Sequence, residues 1–144
     1  MAEVTSVHLY GDRRATYLVT VDLGAGLGSY SGPVTRLAEV RQGQLHWVQG
    51  WDVRLEQDSE LRLLSSLKTA WRLVPRRDGR GQEILLLACR PDISAAANTS
   101  SGQQFLLAFV RYSFDGSRWR RYERTEPGFW EDGDAPFPDR SRFP

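Results

Sequence analysis

Short apolar runs separated by glycine-containing turns recur along the chain and constrain its fold more than any other feature. The clearest pair occupies residues 105–114 and 119–122, with Asp115-Gly116-Ser117 between them. An aspartate followed by a glycine favours a tight hairpin turn because both residues tolerate positive φ angles. The pattern therefore predicts antiparallel hairpins. Comparable pairs of runs flank residues 11–13, residues 41–44 and the loop that contains Asp78-Gly79.

The number of runs suggests about seven or eight strands. We therefore predict a mainly β fold, either an antiparallel hairpin-built barrel or a two-layer sandwich. The run over residues 15–23 alternates as a half-buried strand does, because Tyr17, Val19 and Val21 share one face. Leu18 is the apolar exception on the opposite face. The alternation predicts that the face with Tyr17 packs on the core.

The segment over residues 61–73 fits two kinds of secondary structure. Strand-like alternation places Leu61, Leu63 and Leu73 on one face, whereas helical spacing aligns Leu61, Leu64 and Leu67. Asp58 could cap such a helix at its N-terminus. We favour strands here and retain one short helix near residues 59–68 as the alternative.

Two regions have the composition of irregular structure. Residues 91–102 are small and polar, which predicts a long exposed loop. Residues 126–144 are acidic and rich in proline, so we divide the chain into a single β-rich domain over 1–125 and a C-terminal tail over 126–144. We expect the tail to lie extended on the surface or to be partly disordered. Its acids could also fold back and neutralise the basic hairpin before it.

Composition argues against several classes of partner and site. Nineteen basic and 18 acidic residues give a net charge of +1, which makes a nucleic-acid partner unlikely. No apolar run is long enough to cross a membrane, and residues 1–7 lack the features of a signal peptide, so we expect a cytoplasmic protein without a membrane partner. The lone Cys89, with only His8 and His46, excludes an internal disulfide and the usual zinc cluster. We expect no metal and no cofactor.

The sequence also offers no catalytic residues. The glycines at Gly24, Gly26, Gly28 and Gly32 lack the spacing and the following helix of a dinucleotide-binding loop. Cys89 ends an apolar run, where a cysteine is usually an inert core residue. We therefore lean against an enzyme, although the absence of a motif is weak support for that view.

The most distinctive stretch spans residues 111–124, where arginines alternate with aromatic residues. Regular alternation after the turn would put Trp119 and Arg121 on one face and the flanking arginines and tyrosine on the other. Arginine, tryptophan and tyrosine are common anchors of protein interfaces. The predicted binding residues are Arg118, Trp119, Arg120, Arg121 and Tyr122, with Trp47 and Trp51 as secondary candidates.

These observations support one main functional hypothesis and two alternatives. The main hypothesis is a non-enzymatic module that binds a protein or a small ligand through its aromatic and arginine-bearing face. The first alternative is a small-molecule carrier or enzyme with an interior barrel pocket lined by Trp47, Trp51 or Trp71. The second is a nucleic-acid-binding protein, which would hold phosphates and bases with its arginines and rings. The oligomeric state does not follow from the sequence.

Overall fold

The computed structural model describes residues 1–22, 28–96 and 104–144, and the side chains of all of these except residues 95 and 96. Within them the chain is mainly β, as predicted, and it forms eleven strands instead of seven or eight. The strands are β1 (Ala2–Val7), β2 (Thr16–Val21), β3 (Val34–Arg41), β4 (Gln44–Trp47), β5 (Gln49–Asp52), β6 (Gln57–Glu60), β7 (Arg62–Leu64), β8 (Thr69–Pro75), β9 (Gln82–Pro91), β10 (Phe105–Phe114) and β11 (Trp119–Pro127).

The strands form two sheets, and these do not close into a barrel. The five-stranded sheet has the order β1-β2-β3-β4, and β7 pairs with the first half of β3 beside β4. The six-stranded sheet has the order β6-β5-β11-β10-β9-β8. All pairs are antiparallel except β5 with β11, which run parallel. The sandwich is therefore the correct alternative of the two that the sequence left open.

The predicted hairpin between β10 and β11 is present, with Gly116 at a φ of +100° in its turn. A second glycine, Gly81, lies where the β8–β9 loop approaches the connection between β1 and β2. Its φ is +91°, and a Cβ at this position would lie 2.2 Å from the carbonyl oxygen of Leu9. The neighbouring Gln82 donates its backbone N–H to the same oxygen at 2.9 Å. A side chain here would separate the β8–β9 hairpin from the β1–β2 connection.

The main core lies between the two sheets. Leu18, Leu37 and Leu63 project from the five-stranded sheet onto Ile84 and Val110 of the six-stranded sheet, and all five are buried. Burial of such side chains contributes roughly 1.5–3 kcal/mol each. The single cysteine of the chain can form no internal disulfide. The two sheets are therefore joined by the apolar contacts of this core.

The face of β2 that packs on this core is the opposite of the predicted one. Leu18 and Thr16 are buried, whereas Val21 is exposed and Tyr17 and Val19 are only partly covered. Thr20 points inward as well and its hydroxyl lies 2.6 Å from that of Thr35. The prediction was wrong because both faces of this strand carry apolar side chains, and alternation alone does not show which face meets the other sheet.

The helix considered near residues 59–68 is absent from this part of the chain. β6 ends at Glu60 and β7 covers Arg62–Leu64, so Leu61 and Leu63 alternate as strand residues do and both are buried. The only helical turns among the described residues are α1 (Ile93–Ala96) and the 3-10 turn η1 (Arg140–Arg142). No helix of the described residues is long and apolar enough to cross a membrane.

The C-terminal segment, residues 128–144, packs on the outer face of the six-stranded sheet. Trp130 and Phe143 are buried there in a second apolar cluster with Leu87 and Phe109. Phe143 meets Phe109 edge to face, with ring centroids 5.3 Å apart. The segment therefore adds a third layer to the sandwich and covers part of a sheet face that would otherwise be open to water.

Two predicted regions are described only in part. β9 continues to Pro91, and α1 follows it, so the predicted loop over residues 91–102 begins with ordered structure. The rest of that loop, from residue 97, lies outside the described residues, as do Gly24 and Gly26 of the glycine cluster.

Candidate binding site

The register of the β10–β11 hairpin divides the predicted binding residues between two faces. Trp119 pairs with Phe114 and faces the main core. Arg120 pairs with Ser113, and Tyr122 pairs with Arg111, on the outer face of the six-stranded sheet. The hairpin therefore separates these residues as strict alternation predicts.

Trp119 is a core residue. Its side chain is 1% exposed, and its ring packs beside Phe114 and Tyr10. The indole Nε1 donates a hydrogen bond to the Tyr10 hydroxyl at 3.0 Å, and that hydroxyl donates to the buried carboxylate of Glu39. Burial and the hydrogen bond to Glu39 raise the pKa of Tyr10 to about 12. Trp119 therefore anchors the packing between the sheets and does not present its ring to a partner.

Arg121 is also engaged within the fold. Its guanidinium lies 2.9 Å from the Glu123 carboxylate and 3.3 Å from that of Asp52. Burial acts to lower the pKa of Arg121, but the hydrogen bond to Glu123 and nearby negative charge raise it overall. Arg121 thus ties β11 to β5 where these strands pair in parallel.

Four of the five remaining predicted residues come together on the outer face of the six-stranded sheet. We call this group the arginine–aromatic strip; its members are Trp51, Arg118, Arg120 and Tyr122. The guanidinium carbon of Arg118 lies 4.0 Å from the centroid of the Trp51 ring, within the range of a cation–π contact. Trp51 pairs with Arg120 across the parallel strands. Arg111, at the far end of the strip, lies 4.5 Å above the ring of Tyr122.

The two arginines that flank Trp119 differ in their charge partners. Arg120 forms an ion pair with Asp115. Backbone N–H groups of Arg118 and Ser117, together with the Arg120 side chain, lower the pKa of Asp115 to about 2, so this carboxylate stays charged at neutral pH. The side chain of Arg118 makes no ion pair with any residue that the structure describes. It is exposed, so its charge is available to a ligand.

Trp47 lies on the outer face of the five-stranded sheet, where Arg36 stands 4.2 Å from its ring centroid. It is connected to the strip by a groove of about 230 Å³ that Trp47 and Arg118 both line, together with Tyr10 and Asp58. The structure therefore brings Trp47 to the end of the strip. Trp71, considered for an interior pocket, instead packs against the main core.

A larger cavity opens further along the outer face of the six-stranded sheet. Its volume is about 420 Å³, and we call it the arginine pocket. Four arginines and two acids supply its charges, and Ser113, Phe143 and Pro144 complete its lining. The charged residues are Arg76, Arg77, Asp78, Glu83, Arg111 and Arg140.

Glu83 organises the wall of the arginine pocket. Its buried carboxylate lies 2.7 Å from the guanidinium of Arg111 and also forms an ion pair with Arg140 of η1. Burial acts to raise the pKa of Glu83, but hydrogen bonds from Ser113 and Arg111 and the charges of both arginines lower it overall. The contact with Arg140 also joins the C-terminal segment to β9.

Sequence reasoning missed this pocket because its members are distant in the chain. Arg140 and Glu83 are 57 residues apart and belong to an irregular segment and a strand. One signal was present: Glu83 is an acid at the start of an otherwise apolar strand. A buried acid at such a position needs a cationic partner, which the sequence does not identify.

The acids of the C-terminal region have partners other than the strip. Glu126 pairs with Arg124 and Arg142, and Glu131 pairs with Lys68. Within the described residues, none of these acids contacts Arg118 or Arg120. Among the described residues, Arg124 is therefore the only arginine of the basic hairpin that pairs with an acid of the predicted tail.

No group of histidine, cysteine, aspartate and glutamate side chains that could hold a metal ion is found in residues 1–22, 28–96 and 104–144. Cys89 is buried in the second apolar cluster, and His8 and His46 are exposed on strand ends of the other sheet. No protein-family model, curated protein or solved structure matches the chain. The functional argument therefore rests on the geometry of the strip, the groove and the pocket.

Proposed function

We propose that this protein is a non-enzymatic binding module whose arginine–aromatic strip binds an acidic segment of a partner protein. The observation that carries this proposal is the exposed guanidinium of Arg118, which stacks on Trp51 and has no acidic partner among the described residues. A cation held over an aromatic ring is pre-organised, so a carboxylate that binds it loses less side-chain freedom on the protein's side.

The shape of the site favours a segment of protein chain over an enclosed small molecule. The strip runs along partly exposed positions of β5 and β11 and ends at the exposed Arg118, and the groove at its end measures about 230 Å³. Pockets that enclose drug-sized ligands are typically about 300–1,000 Å³. A groove of this size suits one side chain of a longer ligand, and Trp47 at its rim offers an apolar contact. These features favour the surface hypothesis over a carrier or an enzyme with an interior pocket.

Charge supports a protein partner over nucleic acid. The net charge of the chain is +1, and Arg120 already pairs with Asp115. Binding of nucleic acid depends on neutralising several phosphates at once. A cytoplasmic location is part of the proposal, and its support is the single thiol of Cys89, which is buried and unpaired.

The test uses a fluorescent peptide that alternates glutamate with tyrosine, and a second peptide with glutamine in place of glutamate. Fluorescence anisotropy should show binding of the acidic peptide and much weaker binding of the neutral one. Arg118→Glu should weaken binding of the acidic peptide about tenfold or more, because it replaces attraction with repulsion at the centre of the site.

Arg62→Glu is the matched control, because it makes the same change of charge at an exposed position on β7 of the other sheet. It should retain most of the affinity. Equal losses in both variants would mean that only net charge matters, and unchanged binding by Arg118→Glu would refute the site.

A further inference from the structure

We propose that the arginine pocket is a second binding site, which takes a phosphate group carried by a small molecule or by a modified side chain. None of its lining residues belongs to the arginine–aromatic strip, so this site goes beyond the function proposed above. Its volume of about 420 Å³ falls within the range of small-molecule sites.

The side chains of the lining have a net charge of +2, since four guanidinium groups face two carboxylates. Asp78 pairs with Arg76 at 3.0 Å, and Glu83 is shared by Arg111 and Arg140. The Arg77 side chain has neither an ion pair nor a hydrogen bond among the residues that the structure describes, and it is exposed. The pocket thus holds a positive charge that its own acids leave uncompensated.

The other three arginines are held by contacts that do not use all of their donors. Arg76 donates to the carbonyl oxygen of Phe114 as well as to Asp78. Arg111 donates to the backbone oxygen of Pro144, and Arg140 donates to the carbonyl oxygen of Pro75. A guanidinium has five N–H donors, so each retains donors beyond these contacts. Fixed guanidinium groups bind an oxyanion at a lower entropic cost than mobile ones.

Phosphate matches this arrangement better than a single carboxylate does. A phosphate monoester carries a charge of about −1.5 to −2 near neutral pH and three acceptor oxygens. That charge is close to the +2 of the lining side chains, and the arginines approach from three separate parts of the chain: the β8–β9 loop, β10 and η1. Forked guanidinium donors on several sides suit the tetrahedral group, whose oxygens also point in several directions.

The test is calorimetric titration with inorganic phosphate at an ionic strength held constant with sodium chloride. The intact chain should bind phosphate, and Arg77→Ala should weaken binding about tenfold. Because the Arg77 side chain makes no ion pair or hydrogen bond with the described residues, this variant should unfold at the same temperature as the parent. Arg62→Ala is the matched control and should bind phosphate as the parent does.

Two further variants keep the result decisive. Arg77→Glu should abolish binding, and Arg118→Glu on the strip should leave it unchanged, so failure here is separable from failure of the strip. Titrations with a sugar phosphate and with a phosphoserine peptide distinguish the two carriers of the phosphate. The one that binds more tightly indicates whether the natural ligand is a small molecule or a modified side chain. No heat above a chloride blank, equal affinity of Arg77→Ala and the parent, loss in Arg118→Glu, or tighter binding of citrate than of phosphate would each overturn the proposal.

Discussion

The outer faces of the two sheets differ in what covers them. On the five-stranded sheet, Val40 and Leu45 form a cross-strand pair that is 56% and 61% exposed, and no described residue packs over it. On the six-stranded sheet, Leu87 and Phe109 are buried beneath the C-terminal segment. Apolar side chains on the outer face are thus buried in the six-stranded sheet and exposed in the five-stranded sheet. The difference is the C-terminal segment, which packs over the six-stranded sheet alone.

The outer face of the six-stranded sheet also carries the arginine side chains of both candidate sites. The arginine–aromatic strip and the arginine pocket both lie on the outer face of the six-stranded sheet, and Arg140, Phe143 and Pro144 of the C-terminal segment form one wall of the pocket. Guanidinium groups of Arg124 and Arg142 extend over the ring of Phe109 and complete the cover. The C-terminal segment therefore stabilises the sheet and leaves its polar end open to ligands.

The largest expected effect comes from removing a side chain of the third layer. Phe143→Ala should lower the free energy of unfolding by about 3–5 kcal/mol, because it leaves a cavity against Phe109 and Phe137. Trp47→Ala removes a larger ring from the open face and should cost less than about 1 kcal/mol. Urea denaturation of both variants measures the difference. Equal costs would mean that the C-terminal segment does not cover the sheet in solution.

A smaller effect is expected at the acid that joins the third layer to the sheet. Glu83→Gln should lower stability at neutral pH by about 1–3 kcal/mol, because Arg111 and Arg140 lose their shared partner. The pKa of Glu83 is lowered in the fold, so its contribution is present above the ordinary value of 4.5 and is lost as pH falls through the folded-state pKa. The difference between the variant and the parent should therefore shrink on acidification. A difference that stays constant with pH would show that Glu83 does not act through its charge.

The sequence predicted those features that depend on residues close together in the chain. Local turn chemistry and alternation predicted the β10–β11 hairpin and the division of its side chains between two faces. They did not show that Trp119 would be buried, because its hydrogen-bond partner Tyr10 is 109 residues away. The core-facing side of β2 was predicted wrongly, because apolar side chains lie on both faces of this strand. The pocket around Glu83 depends on contacts over 28 and 57 residues of sequence, which pairing rules for single strands do not contain.

The central claim is that binding occurs on the outer face of the six-stranded sheet. Hydroxyl-radical footprinting tests it most directly, with the modification of each side chain compared in the absence and presence of saturating acidic peptide. We expect protection of Trp51 and Tyr122, while Val21 and Leu45 on the open face are modified at unchanged rates. Protection of Val21 and Leu45 with Trp51 unaffected would contradict it and would assign binding to the five-stranded sheet.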